Sequence, residues 1–143
     1  MSTFKHIYNE KLKAIAEQKA IDPKDVINSH FKKIKEVAKE GLKYRATRTD
    51  GYSKIYHDFD WVIKEIGKQE KLMKSAESNS IITKIFHNLN ELNKTLKEKR
   101  FKVKRDKDYR GWDKKIYMSY TDPILNEIKK LLNFFKTTRV PRI

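Results

Sequence analysis

In "YHDFDW", His57 and Asp60 are three residues apart. On a helix that spacing stacks them one turn apart on one side, where a carboxylate can orient an imidazole for general acid/base work or share a hard cation with it. On a strand, Asp58 and Asp60 would share a face instead. Arg45, Arg48 and Tyr56 lie close by in sequence, and arginines beside such a pair can stabilise a pentavalent phosphate. Read for chemistry, the cluster is that of a small ribonuclease or toxin-like nuclease, with His57 and Asp60 as its catalytic candidates. Read without chemistry, it is an acidic helix start beside a surface histidine, and the balance falls to a protein that is not an enzyme.

A second constellation is denser. "KTLKEKRFKVKRDKDYRGWDKK", residues 94–115, holds eleven Lys or Arg against four acids, a net of +7 within a chain whose total is +15. Cations pair with phosphates and release counterions, and interleaved rings stack on bases. The candidate binding residues are Arg100, Lys102, Lys104, Arg105, Lys107, Tyr109, Arg110, Trp112 and Lys114, assisted by Arg45, Arg48 and the tail residues Arg139 and Arg142. The expected function is a nucleic-acid-binding protein that grips the phosphate backbone of DNA or RNA. A viral or phage regulator fits the Lys, Ile and Asn bias. A third reading is an assembly protein whose basic face meets an acidic protein partner.

Other chemistries find little footing. Four glycines, Gly41, Gly51, Gly67 and Gly111, write neither a Walker A loop nor a G-x-G-x-x-G turn, and no H-x-x-x-H or H-E-x-x-H spacing occurs. The remaining histidines, His6, His30 and His87, lie beside apolar stripes as packing residues. Without cysteine there is neither a disulfide framework nor a thiolate metal site. No cofactor or metal is expected. No segment approaches 18 uninterrupted apolar residues, so the expectation is a soluble intracellular protein, cytoplasmic or in a host cell if viral, without membrane contact and monomeric or weakly dimeric.

These residues need elements to hold them. A chain of 143 residues with 38% apolar content can bury one core. Phe4, Ile7, Tyr8, Leu12 and Ile15 mark a helix over about 2–19, expected to form a hairpin with the next helix. Asp22-Pro23 announces that helix, with Ile27, Phe31, Ile34 and Ala38 inward and Gly41 as its stop. Residues 42–60 fit either a β-hairpin around Asp50-Gly51 or a helix; the longer period favours a helix from about Tyr52 to Met73, through Ile55, Tyr56, Phe59, Ile63 and Ile66. Ser80 suits a cap for the helix of Ile82, Ile85, Leu89, Leu92 and Leu96, a seam that fits an internal core better than a dimer.

Beyond Leu96 the period changes to two. Phe101 and Val103 alternate with Lys102 and Lys104, and Ile116, Met118 and Tyr120 with Tyr117 and Ser119, which predicts two strands around "KDYRGWD". Asp122-Pro123 then opens a last helix with Ile124, Ile128, Leu131 and Phe135 inward. The expected fold is mainly α, of the α+β kind: about five helices in one domain over 1–138, a basic β-hairpin at about 100–120, and a basic tail at 139–143. A hairpin between helices loosely resembles the wing of winged-helix proteins, although no recognition helix can be placed.

Overall fold

The helix announced by Asp22-Pro23 opens as its sequence dictates. The Asp22 carboxylate accepts from the Lys24 backbone N–H at 2.9 Å, and Pro23 is the first helical residue. A computed structural model describes residues 22–46, 51–75 and 79–138. Within them are α1 (Pro23–Ala46), a 3-10 turn (Gly51–Tyr56), α2 (His57–Lys74), α3 (Asn79–Arg105) and α4 (Gly111–Thr138). The helix expected over 2–19, and its hairpin with α1, lie outside the described residues, as does the 139–143 tail.

The four helices run up and down. α1 packs on α2 and α4, and α3 closes the ring against α4 and, more lightly, α2. Polar ties fix this antiparallel order from outside the core. His30 near the start of α1 meets Glu127 late in α4 at 2.7 Å, and Lys35 of α1 meets Glu70 of α2 at 2.7 Å. Asn88 of α3 donates to Gln69 of α2 at 3.1 Å. Inside lie Ile27, Phe31, Ile34 and Ala38 of α1, Phe59, Val62, Ile66 and Met73 of α2, and Ile124, Ile128 and Leu131 of α4. Ile82, Ile85, Leu89, Leu92 and Leu96 are all buried there as well, so the α3 seam faces its own bundle. The 3.6-residue period explains each of these stripes.

The β-hairpin does not exist, and about five helices is too many for the described residues: four helices and no strand are found there. Residues 100–105 finish α3 and residues 111–120 begin α4, joined by a short turn. On a helix, residues two apart diverge by about 200°, and the side chains obey: Val103 is 5% exposed while Phe101 is 57% exposed. On α4 the buried row is Asp113, Tyr117, Thr121, Ile124, Ile128 and Leu131, a helical row whose two polar members disguise it. Without a hairpin the winged-helix likeness has no wing.

Three smaller readings change too. Pro123 is inside α4 and does not start it. The carbonyl that loses its donor belongs to Ser119, whose side chain is on the solvent face, and the Thr121 hydroxyl donates to the Tyr117 carbonyl at 2.8 Å just before the proline. Gly41 does not end α1, which continues to Ala46; a Cβ there would lie 2.7 Å from the Phe59 ring. Residues 51–74 are helical, but as a 3-10 turn followed by α2, not one helix from Tyr52.

The His30–Glu127 tie gives a pH-dependent contribution. Burial alone would push the Glu127 carboxyl up, but hydrogen bonds from His30 and Lys130 and their charges leave it below the ordinary value of 4.5. A lowered folded pKa adds stability above the unfolded pKa and loses it as pH falls through the folded one. Urea midpoints are therefore expected to drop as pH goes below about 4.5, and Glu127→Gln should flatten that part of the profile. At pH 7, His30→Ala should cost about 1 kcal/mol.

Candidate nucleic-acid interface

The up-and-down order brings the C-termini of α1 and α3 and the N-termini of α2 and α4 to one end of the bundle. Two reciprocal tyrosine–aspartate bonds clasp that end. The Tyr56 hydroxyl donates to Asp113 Oδ1 at 2.7 Å, both residues being buried, and the Tyr117 hydroxyl donates to Asp58 Oδ2 at 2.6 Å. Burial, the Asp58 charge and this hydrogen bond push the Tyr117 phenol far above its usual range, so it remains a donor. Around the clasp the rings of Tyr44, Tyr56, Phe59, Trp112, Tyr117 and Tyr120 form a continuous cluster with centroids 5.6–6.4 Å apart. Aromatic contacts of this kind stiffen a site beyond the area they bury.

The sequence-expected cations sit at this end, in three groups. The first is tied to acids: Arg100 binds Asp122 at 2.6 Å, and its neighbour Lys99 approaches Asp58 at 3.7 Å while lying 5.1 Å from the Trp61 ring. The second is engaged locally: Lys114 donates to the Lys104 carbonyl at 3.3 Å, closing the corner between α3 and α4, and Arg45 donates to His57 Nδ1 at 3.2 Å. The third faces solvent. Lys102, Lys104 and Lys107 are exposed without an ion-pair partner among the described residues, and Arg105 is exposed with its guanidinium 5.2 Å from the Phe101 ring. Arg110 is exposed in the turn beside them. Arg48, Arg139 and Arg142 lie outside the described residues.

Helix geometry adds cations that the hairpin reading did not select. Lys94, Lys97, Phe101 and Lys104 recur at three- and four-residue steps, with Arg105 four residues after Phe101, and all five are exposed, so they form one outward stripe on α3 with Glu98 among them. From Lys94 to Lys104 the stripe is about 15 Å long. Lys115 adds an exposed cation on α4. The surface is not uniformly positive: burial first, then Asp106, Asp58 and Asp108, raise the Tyr109 phenol above its usual pKa. Some of the charge also answers helix ends, since Lys102, Lys104 and Arg105 occupy the last turn of α3 and Asp113 the first turn of α4.

The nuclease candidates are not assembled. His57 accepts from Arg45, and Asp60 pairs with Lys64 one turn on at 3.0 Å, so Asp60 orients a lysine and not the imidazole. Among the described residues no three of His, Asp and Glu gather as a metal-binding group. A cleft of about 230 Å³ between α2 and α3, lined by Trp61, Glu65, Asn88, Glu91, Leu92 and Thr95, carries acids and so has the wrong sign for phosphate. No helix among the described residues is long and apolar enough to cross a membrane. The chain matches no protein family, no curated protein and no solved structure, so the bundle and its basic end stand on their own physical terms.

Proposed function

We propose that this protein binds nucleic acid through the α3–α4 corner, holding the phosphate backbone without catalysing a reaction. One observation supports the reading: the densest cationic stretch of the chain folds into one exposed corner whose outer cations, Lys102, Lys104, Arg105 and Lys107, make no ion pair with a carboxylate among the described residues. Such a concentration repels itself and costs folding free energy, an expense that a polyanion offsets. The clasped end beneath keeps the corner's shape, so cations need not be gathered at the moment of binding.

Net charge alone would also attract a polyanion, and the test separates the two. The variant Lys102→Gln/Lys104→Gln/Arg105→Gln/Lys107→Gln is compared with Lys24→Gln/Lys32→Gln/Lys33→Gln/Lys129→Gln, which removes the same charge from α1 and α4 away from the corner. Binding of labelled oligonucleotides is expected to weaken about 30-fold in the corner variant and no more than about threefold in the control. Equal weakening would mean diffuse attraction and would remove the proposed site.

A further inference from the structure

Among the described residues, the large apolar side chains left most open are Phe101 at 57% and Trp112 at 50%. Both belong to the basic corner, one in the closing turns of α3 and the other in the first turn of α4. Burial of either ring would stabilise the fold by the ordinary hydrophobic term, yet the bundle leaves both half in water while burying Val103 between them in sequence. Their settings are also built. Trp112 rests edge-on against Tyr44 at 5.8 Å and 68°, and Tyr44 in turn touches Tyr56 and Tyr120. Phe101 stands in the cationic stripe with the Arg105 guanidinium 5.2 Å from its ring centre.

We infer that the corner takes unpaired nucleotides in preference to a duplex, with bases stacking on Trp112 and Phe101 while the surrounding cations hold the phosphates. The inference rests on the nucleic-acid reading above and deepens it. Inside a duplex each base face is covered by its neighbours, so an aromatic ring on the protein meets only sugar and phosphate. In a single strand the faces are open, and a ring already held in place gains a stacking partner with little ordering cost. A corner made only to grip duplex phosphates would have no use for two open rings among its cations.

Single-stranded and duplex 20-mers of one sequence are titrated, in DNA and in RNA, at one salt concentration. The native chain is expected to bind single strands at least about tenfold more tightly than duplex. Trp112→Leu keeps apolar bulk but loses the π-face, and should remove most of that preference while leaving duplex affinity nearly unchanged; Trp112→Phe should restore it. Far-ultraviolet circular dichroism checks that each variant is folded. In a Trp61→Phe background Trp112 is the sole tryptophan, and single strands but not duplex should quench its emission, a second readout that needs no Trp112 substitution. Equal affinity for single strands and duplex, or a preference that survives Trp112→Leu, overturns the stacking inference and leaves backbone binding standing. Failure to bind any oligonucleotide removes both.

Discussion

Asp113→Ala is expected to destabilise the protein by about 3 kcal/mol, read as a fall in the urea midpoint at unchanged slope. Asp113 is fully buried and accepts the Tyr56 hydroxyl at 2.7 Å, and Tyr56 is itself fully buried. Alanine removes the hydrogen bond and also takes from a buried phenol the carboxylate it donates to, which is the larger part of the loss. Asp113→Asn keeps an acceptor and should lose about 1 kcal/mol. Because the partners act together, Tyr56→Phe combined with Asp113→Ala should cost clearly less than the sum of the single changes. Additive losses would show that the clasp is not what makes Asp113 matter.

Gly41→Val should cost a similar amount, about 3 kcal/mol or more. The expectation runs against helix propensity, which favours alanine over a mid-helix glycine by up to about 1 kcal/mol. Packing decides the sign. A Cβ on residue 41 would lie 2.7 Å from two carbons of the Phe59 ring and 2.9 Å from a third, and Phe59 is wedged among Tyr56, Tyr117 and Tyr120 with no exposed surface into which to swing. Gly41→Ala should therefore destabilise as well, by less. Gly67→Ala is the internal control, since a Cβ there meets nothing within 4 Å and propensity alone should make it neutral or mildly stabilising. Equal effects of alanine at 41 and 67 would contradict the close approach of α1 to α2.

The same residues show what the amino-acid order reveals and where it misleads. α1, the seam of α3 and the inner face of α4 from Ile124 onward were legible because their buried positions are apolar and their exposed ones charged. The start of α4 was not. Its inward row includes Asp113 and Thr121, polar residues that reach the core only because Tyr56 and a backbone carbonyl satisfy them, and their partners are distant in sequence or invisible in it. Phe101 misleads in the opposite sense, as an apolar residue on the outside. With two polar residues inside and one ring outside, a period of 3.6 imitates a period of two. Writing out 113, 117, 121, 124, 128 and 131 as one row would have exposed the helix, at the price of accepting an aspartate in the core.

The candidate site was legible as charge and not as shape. The net charge of residues 94–115 needs no fold to be counted, but Arg100 and Lys102 are two residues apart in that run and differ in fate: one faces Asp122 across the α3–α4 seam, the other faces water. Helical phase makes that division. The His57–Asp60 spacing shows the converse, since one-turn neighbours on α2 found separate partners in Arg45 and Lys64. Spacing allows a pair to form; competing partners decide whether it does.

The central claim, that the α3–α4 corner is built for phosphates, is tested most directly by the salt dependence of binding. A labelled single strand is titrated with the native chain and with the four-glutamine corner variant from 50 to 300 mM potassium chloride. If about six phosphates are engaged, the logarithm of the native binding constant should fall against the logarithm of salt with a slope of about −4, and the variant's slope should be shallower by about 3. A native slope near zero, or one that the corner variant leaves unchanged, would contradict the account.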